Sequence, residues 1–76
     1  MMKKYANLRG KSGVDEYLIT PTSIKIKFIK NPSVYVYNEM KPGRSHVSAM
    51  QGLALAGGGL GKYINRNIKG NYYSVE

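Results

Sequence analysis

Residues 23–28 constrain the fold more than any other stretch of the chain. Ile24, Ile26 and Phe28 alternate with Lys25 and Lys27, and Lys30 continues the charge. A period of two places the apolar residues on one face and the lysines on the other, the pattern of a half-buried β-strand. Lys30-Asn31-Pro32-Ser33 predicts a turn. Val34-Tyr35-Val36-Tyr37 then reads as a second strand, rich in β-branched and aromatic residues. Upstream, residues 13–19 form a weaker strand in which Val14, Glu16 and Leu18 alternate imperfectly with Asp15, Tyr17 and Ile19. Thr20-Pro21-Thr22-Ser23 joins it to the next. Short links between three successive strands favour an antiparallel meander.

Lys41-Pro42-Gly43 ends the sheet. Ser45 is the expected N-cap of a helix over residues 46–56, with Val47, Met50, Leu53 and Ala54 on its inner face. Gly57-Gly58-Gly59 separates it from a second helix. At about 100° per residue, Leu60, Ile64 and Ile68 share one sector there, and Lys62, Arg66 and Lys69 lie opposite. Gly70-Asn71 closes that helix, and residues 72–75 are suited to a terminal edge strand. The reading is a small α+β domain: a three-stranded meander packed against two short helices. Residues 1–12 carry Lys3, Lys4, Arg9 and Lys11 with no acid, and read as a flexible basic arm. Residues 13–76 form the single domain.

Charge points to the class of partner. Among 76 residues, 12 Lys+Arg stand against 4 Asp+Glu, a formal net charge of +8. No acid lies between Met40 and Glu76, so the second helix has a purely cationic outer side. A solvated face normally mixes signs, so this bias favours an anionic partner. The chain has no cysteine, hence no disulfide framework and no thiolate metal site. Its least polar run, residues 47–60, is broken by Ser48, Gln51 and glycines, and falls short of the roughly 20 apolar residues that span a bilayer. A cytoplasmic protein with no membrane contact is the expectation.

A family resemblance follows from three pieces: residues 23–28, Tyr35-Val36-Tyr37, and Gly61-Lys62-Tyr63-Ile64-Asn65-Arg66 running on to Tyr72. Together they resemble the KTSC domain, a small module found at the C-terminus of some lysyl-tRNA synthetases and as free-standing bacterial proteins. The resemblance spans roughly residues 12–72. It implies a compact α+β fold and RNA binding as a working role. The stretch 38–48, which carries Arg44 and His46, is longer than the loop such domains usually have.

The candidate ligand-binding residues follow from chemistry. Lys62, Arg66 and Lys69 would hold phosphates, helped by Arg44, Lys25 and Lys27. Tyr35, Tyr37 and Tyr63 are candidates for stacking on unpaired bases. If Val34 and Val36 enter the core, Tyr35 and Tyr37 stand beside the lysines; otherwise the two tyrosines face the helices. Gly58, Gly59 and Gly61 could expose backbone N–H groups to an anion. They do not make a P-loop, because Ala56 and Tyr63 occupy positions where that motif needs Gly and Ser or Thr.

Nothing supports catalysis. His46 is the single histidine, no Asp lies near Ser45 or Ser48, and Asp15 and Glu16 are strand neighbours on opposite faces. No cofactor or metal is expected. The function read from sequence is non-enzymatic binding of RNA or single-stranded nucleic acid. The alternatives are a homo-oligomer that sequesters a small nucleotide signal, as virus-encoded anti-defence proteins can do, and an adaptor or inhibitor docking on an acidic protein surface.

Overall fold

The computed structural model describes residues 2–8, 10 and 13–76. Five strands form one antiparallel sheet in chain order: β1 (Lys3–Lys4), β2 (Val14–Ile19), β3 (Ser23–Phe28), β4 (Asn31–Asn38) and β5 (Ser74–Val75). Two helices lie between β4 and β5. The first, α1, is Arg44–Ala56; the second, α2 (Leu60–Tyr63), passes directly into a π-helical turn, Ile64–Ile68. The fold is α+β, as the sequence predicts. The sheet is wider than the three-stranded meander by the two edge strands.

Register decides which side chains meet the helices. Ile24 lies opposite Tyr37 and Ile26 opposite Tyr35, while Lys25 faces Val36 and Lys27 faces Val34. Directly opposed residues share a face. Tyr35 and Tyr37 therefore join the isoleucines on the core face, and the valines stand beside the lysines on the other. The alternative that places the tyrosines beside Lys25 and Lys27 is wrong. A tight Ile29–Lys30 turn and an irregularity beside Phe28 set this pairing. A slip by one residue would exchange the two faces.

A second register shift, between Val14 and Glu16, explains the imperfect alternation of β2. A bulge there lets Val14 and Tyr17 both turn inward although they are three residues apart. The core gathers Val14, Tyr17, Ile24, Ile26 and Tyr37 from the sheet. Val47, Met50 and Ala54 come from α1, and Leu60, Ile64 and Ile68 come from the last helix.

The first helix begins before the expected cap. Gly43, not Ser45, is its N-cap, with φ +117° and no side-chain capping bond. The Gly43 carbonyl accepts from Val47 N–H at 3.0 Å, and its own N–H donates to Asn38 O at 3.1 Å. The preceding turn is held by Asn38 Oδ1, which accepts from the N–H groups of Met40 and Lys41. At the other end Gly57 adopts the left-handed conformation, and its N–H reaches the carbonyls of Leu53 and Ala54.

The basic arm is not wholly flexible. Lys3 and Lys4 pair with Tyr17 and Glu16, Tyr5 is only 2% exposed, and Leu8 N–H donates to Gly57 O at 2.7 Å. One buried aromatic ring is enough to anchor a short segment that has few other apolar groups. A side chain at Gly57 would bring its Cβ to 2.8 Å from Ala6 Cβ, so glycine there serves both the turn and the docked arm. Arg9 and Lys11 of the arm, and Ser12 at the start of the resembling stretch, lie outside the described residues. No helix among the described residues is long and apolar enough to cross a membrane.

Candidate functional site

A cleft of about 440 Å³ opens between the β3–β4 end of the sheet and the last helix. Phe28, Asn31, Tyr35, Tyr37 and Tyr72 line it along with Gly13; Gly61, Ile64, Asn65, Lys69 and Gly70 complete it. Gly61, Asn65 and Lys69 recur every four residues, immediately beside the buried Leu60–Ile64–Ile68 edge. The same amphipathic pattern that packs the helix therefore aims this stripe at the cleft. The helical wall is the π-helical turn, a widened geometry often found at functional sites.

The rings hold each other edge to face. Tyr35 meets Phe28 at 5.4 Å between centroids and Tyr72 at 4.9 Å, and Tyr37 meets Tyr72 at 6.4 Å. Such pairs add about 0.5–1.5 kcal/mol beyond area burial and fix ring orientation. Asn31 Nδ2 donates to the Tyr35 hydroxyl at 2.7 Å, while Asn31 Oδ1 accepts from Ser33 N–H at 3.0 Å. Both ends of that amide are engaged, holding the turn and Tyr35.

Tyr37 is different. The residue as a whole is 2% exposed and its hydroxyl makes no hydrogen bond among the described residues; since no buried side-chain polar atom there is unsatisfied, the hydroxyl itself reaches the cleft. Burial, with smaller contributions from Tyr35 and Tyr72, pushes its phenol up to about 12. Like any phenol, it is a neutral O–H donor at physiological pH. The Asn65 amide and the Lys69 ammonium also have no protein partner among the described residues. The cleft thus combines an aromatic wall, the Tyr37 hydroxyl, an exposed Asn65 amide and one cation at its edge.

The predicted cations do not form one surface. Lys62, Arg66 and Lys69 are exposed on the last helix, and only Lys69 reaches the cleft. Lys25 and Lys27 lie on the face of the sheet opposite the helices, and Lys25 Nζ pairs with the Glu76 carboxylate at 3.1 Å. Strand alternation separates them: burial of Ile24 and Ile26 under the helices sends both lysines to the far side. Arg44 borders a separate hollow of about 260 Å³, with Pro21, Thr22, Glu39, Val47 and Ser48.

Tyr63 and the glycine turn are committed to architecture. The Tyr63 hydroxyl lies 2.7 Å from His46 Nδ1 and so ties α2 to α1, which leaves it poorly placed to stack on a base. At the expected anion nest of Gly58 and Gly59, the groups on its helix side are engaged. Gly59 takes φ +87° to start α2, its carbonyl accepts from Tyr63 N–H, and the Leu60 N–H donates to the buried Tyr5 hydroxyl at 3.2 Å. Of the candidate glycines, only Gly61 borders the cleft.

Sequence reasoning missed Phe28, Asn31, Asn65 and Tyr72. The Gly61–Asn65–Lys69 spacing was the available signal for Asn65. The tyrosines and Asn31 converge only once register is known. Among the described residues no group of three His, Cys, Asp or Glu could hold a metal ion. No protein-family model, curated protein or solved structure matches the chain.

Proposed function

We propose that the protein binds a phosphate-bearing partner without catalysing a reaction, and that single-stranded RNA is this partner. The observation that carries the reading is the position of the last helix. One side of it walls an aromatic cleft, and its exposed side carries Lys62 and Arg66, with Lys69 at the junction. Single-strand binders combine those two elements: cations that follow the backbone and rings that receive bases. The resemblance of residues 61–72 to the KTSC domain and a cytoplasmic location belong to the same proposal. Lys25 and Lys27 are left out of the binding surface, because they occupy the other side of the sheet.

Salt dependence tests it. With about three phosphates neutralised, the log–log slope for a short labelled RNA should be near −2. Raising salt from roughly 50 to 200 mM should then cost about 20-fold in affinity. Replacing both Lys62 and Arg66 with Glu should weaken binding much further and leave the thermal midpoint nearly unchanged, because exposed charges contribute little to stability. Retained affinity with a slope near zero would refute the electrostatic mode. An unfolded double variant would mean that these side chains are structural.

A further inference from the structure

We propose that the cleft between β4 and the π-helical turn receives one nucleobase with its 5′-phosphate, which rests on the phosphate-ligand reading above. Its volume of about 440 Å³ falls within the range of small-molecule sites. The chemistry of the lining narrows the occupant. Tyr35, Tyr37 and Tyr72 give an apolar interior that inorganic phosphate alone would leave unfilled. Asn65 offers an uncommitted amide, donor and acceptor together, which matches the hydrogen-bonding edge of a base. Lys69, exposed at the edge, suits an anion attached to that base rather than one buried beneath it.

The second, independent observation is the Tyr37 hydroxyl. Three of the seven tyrosines satisfy theirs internally: Tyr5 accepts from Leu60 N–H, Tyr35 accepts from Asn31, and Tyr63 pairs with His46. Tyr37 lines the cleft with no such partner among the described residues, and so does Tyr72 beside it. No buried side-chain polar atom among the described residues lacks a partner, so the Tyr37 hydroxyl reaches the open cleft, where a ligand acceptor can take it up. An acyl chain would leave both this donor and the Asn65 amide unpaired. A flat heterocycle with ring-nitrogen or carbonyl acceptors satisfies them.

Titration with nucleoside 5′-monophosphates, the corresponding nucleosides and inorganic phosphate, followed by NMR and calorimetry, tests the assignment. At least one monophosphate should bind one-to-one, about tenfold or more tighter than inorganic phosphate. Tyr37→Phe keeps the ring and should weaken that binding about tenfold with the fold intact, and Asn65→Ala should act in the same direction. Lys69→Gln should reduce the advantage of the monophosphate over its nucleoside. Monophosphates that bind no better than inorganic phosphate, or a Tyr37→Phe variant with unchanged affinity, overturn the inference.

An RNA arm separates the two readings. RNA binding that is salt-dependent but unaffected by Tyr37→Phe keeps the RNA reading and overturns the base cleft. Monophosphate binding sensitive to Tyr37→Phe with no RNA binding keeps the cleft, identifies a free nucleotide as its source and overturns the RNA reading. Competition between the two ligands, both sensitive to Tyr37→Phe, supports a strand that places one of its bases in the cleft.

Discussion

At its N-terminal end the last helix hands the Leu60 N–H to the buried Tyr5 hydroxyl, and the preceding Gly57 packs against the docked arm. At its C-terminal end Asn65, Lys69 and the facing Tyr37 hydroxyl surround a cleft without protein partners among the described residues. The glycine-rich end is the one that looks like a phosphate site in the sequence. Gly57 and Gly59 serve backbone turns and close packing there, and the Leu60 N–H is already used. The other end, built from ordinary-looking Asn and Tyr residues, keeps its hydrogen-bonding capacity available. In a domain this small, a polar group with a partner holds the architecture, and one left without a partner beside an open cleft is free to act on a ligand.

The largest expected effect lies at the closed end. Tyr5→Ala removes a ring packed edge-on against Tyr17 at 6.5 Å and leaves Leu60 N–H without its acceptor. It should cost about 3–5 kcal/mol, comparable to the total stability of many small domains. Tyr5→Phe should cost only about 1–3 kcal/mol, since it removes the acceptor alone. Urea denaturation reads both. A Tyr5→Ala variant as stable as the parent would mean that the arm is not part of the folded unit.

A somewhat smaller effect should appear at the open end in alkali. The unfolded Tyr37 phenol ionises near pH 10, whereas burial holds the folded one up to about 12. Below pH 10 both states keep the proton and Tyr37 contributes no pH dependence. Between about 10 and 12 the unfolded state loses its proton first, so stability falls, by about 1–2 kcal/mol once solvent screening of the phenol is allowed for. Urea midpoints across that range, compared with Tyr37→Phe, isolate this contribution. Equal slopes for the two proteins would show that Tyr37 is not buried as described.

Periodicity carried much of the fold. Ile24, Ile26 and Phe28 identified β3, and Leu60, Ile64 and Ile68 identified the buried edge of the last helix, because both patterns are local. The C-terminal edge strand was expected and is β5, but the N-terminal one was not legible. Two-residue strands such as Lys3–Lys4 have no periodicity, and their pairing depends on Tyr5 finding the core. Register was hidden for a related reason. Bulges beside Asp15 and Phe28 shift pairing in ways that composition does not record, so the inward facing of Tyr35 and Tyr37 stayed open.

The site was legible in its charge and obscure in its geometry. Lys69 stood out because the helix carries cations without acids, but the same sign on Lys25 and Lys27 suggested a single surface that the sheet divides. Asn65 carries no signal until its neighbours across the cleft are known. The Tyr5–Leu60 contact joins positions 55 apart in the chain, and without it the glycine run resembles an anion turn.

Backbone amide NMR during titration with a short single-stranded RNA tests the contrast between the two ends most directly. Shifts are expected at Tyr35, Tyr37, Asn65, Lys69 and Tyr72, and along the helix at Lys62 and Arg66. Gly58, Gly59, Leu60, Lys25 and Lys27 should stay nearly still. Shifts concentrated at the glycine turn or on the lysine face of the sheet, with the cleft unmoved, would contradict the assignment.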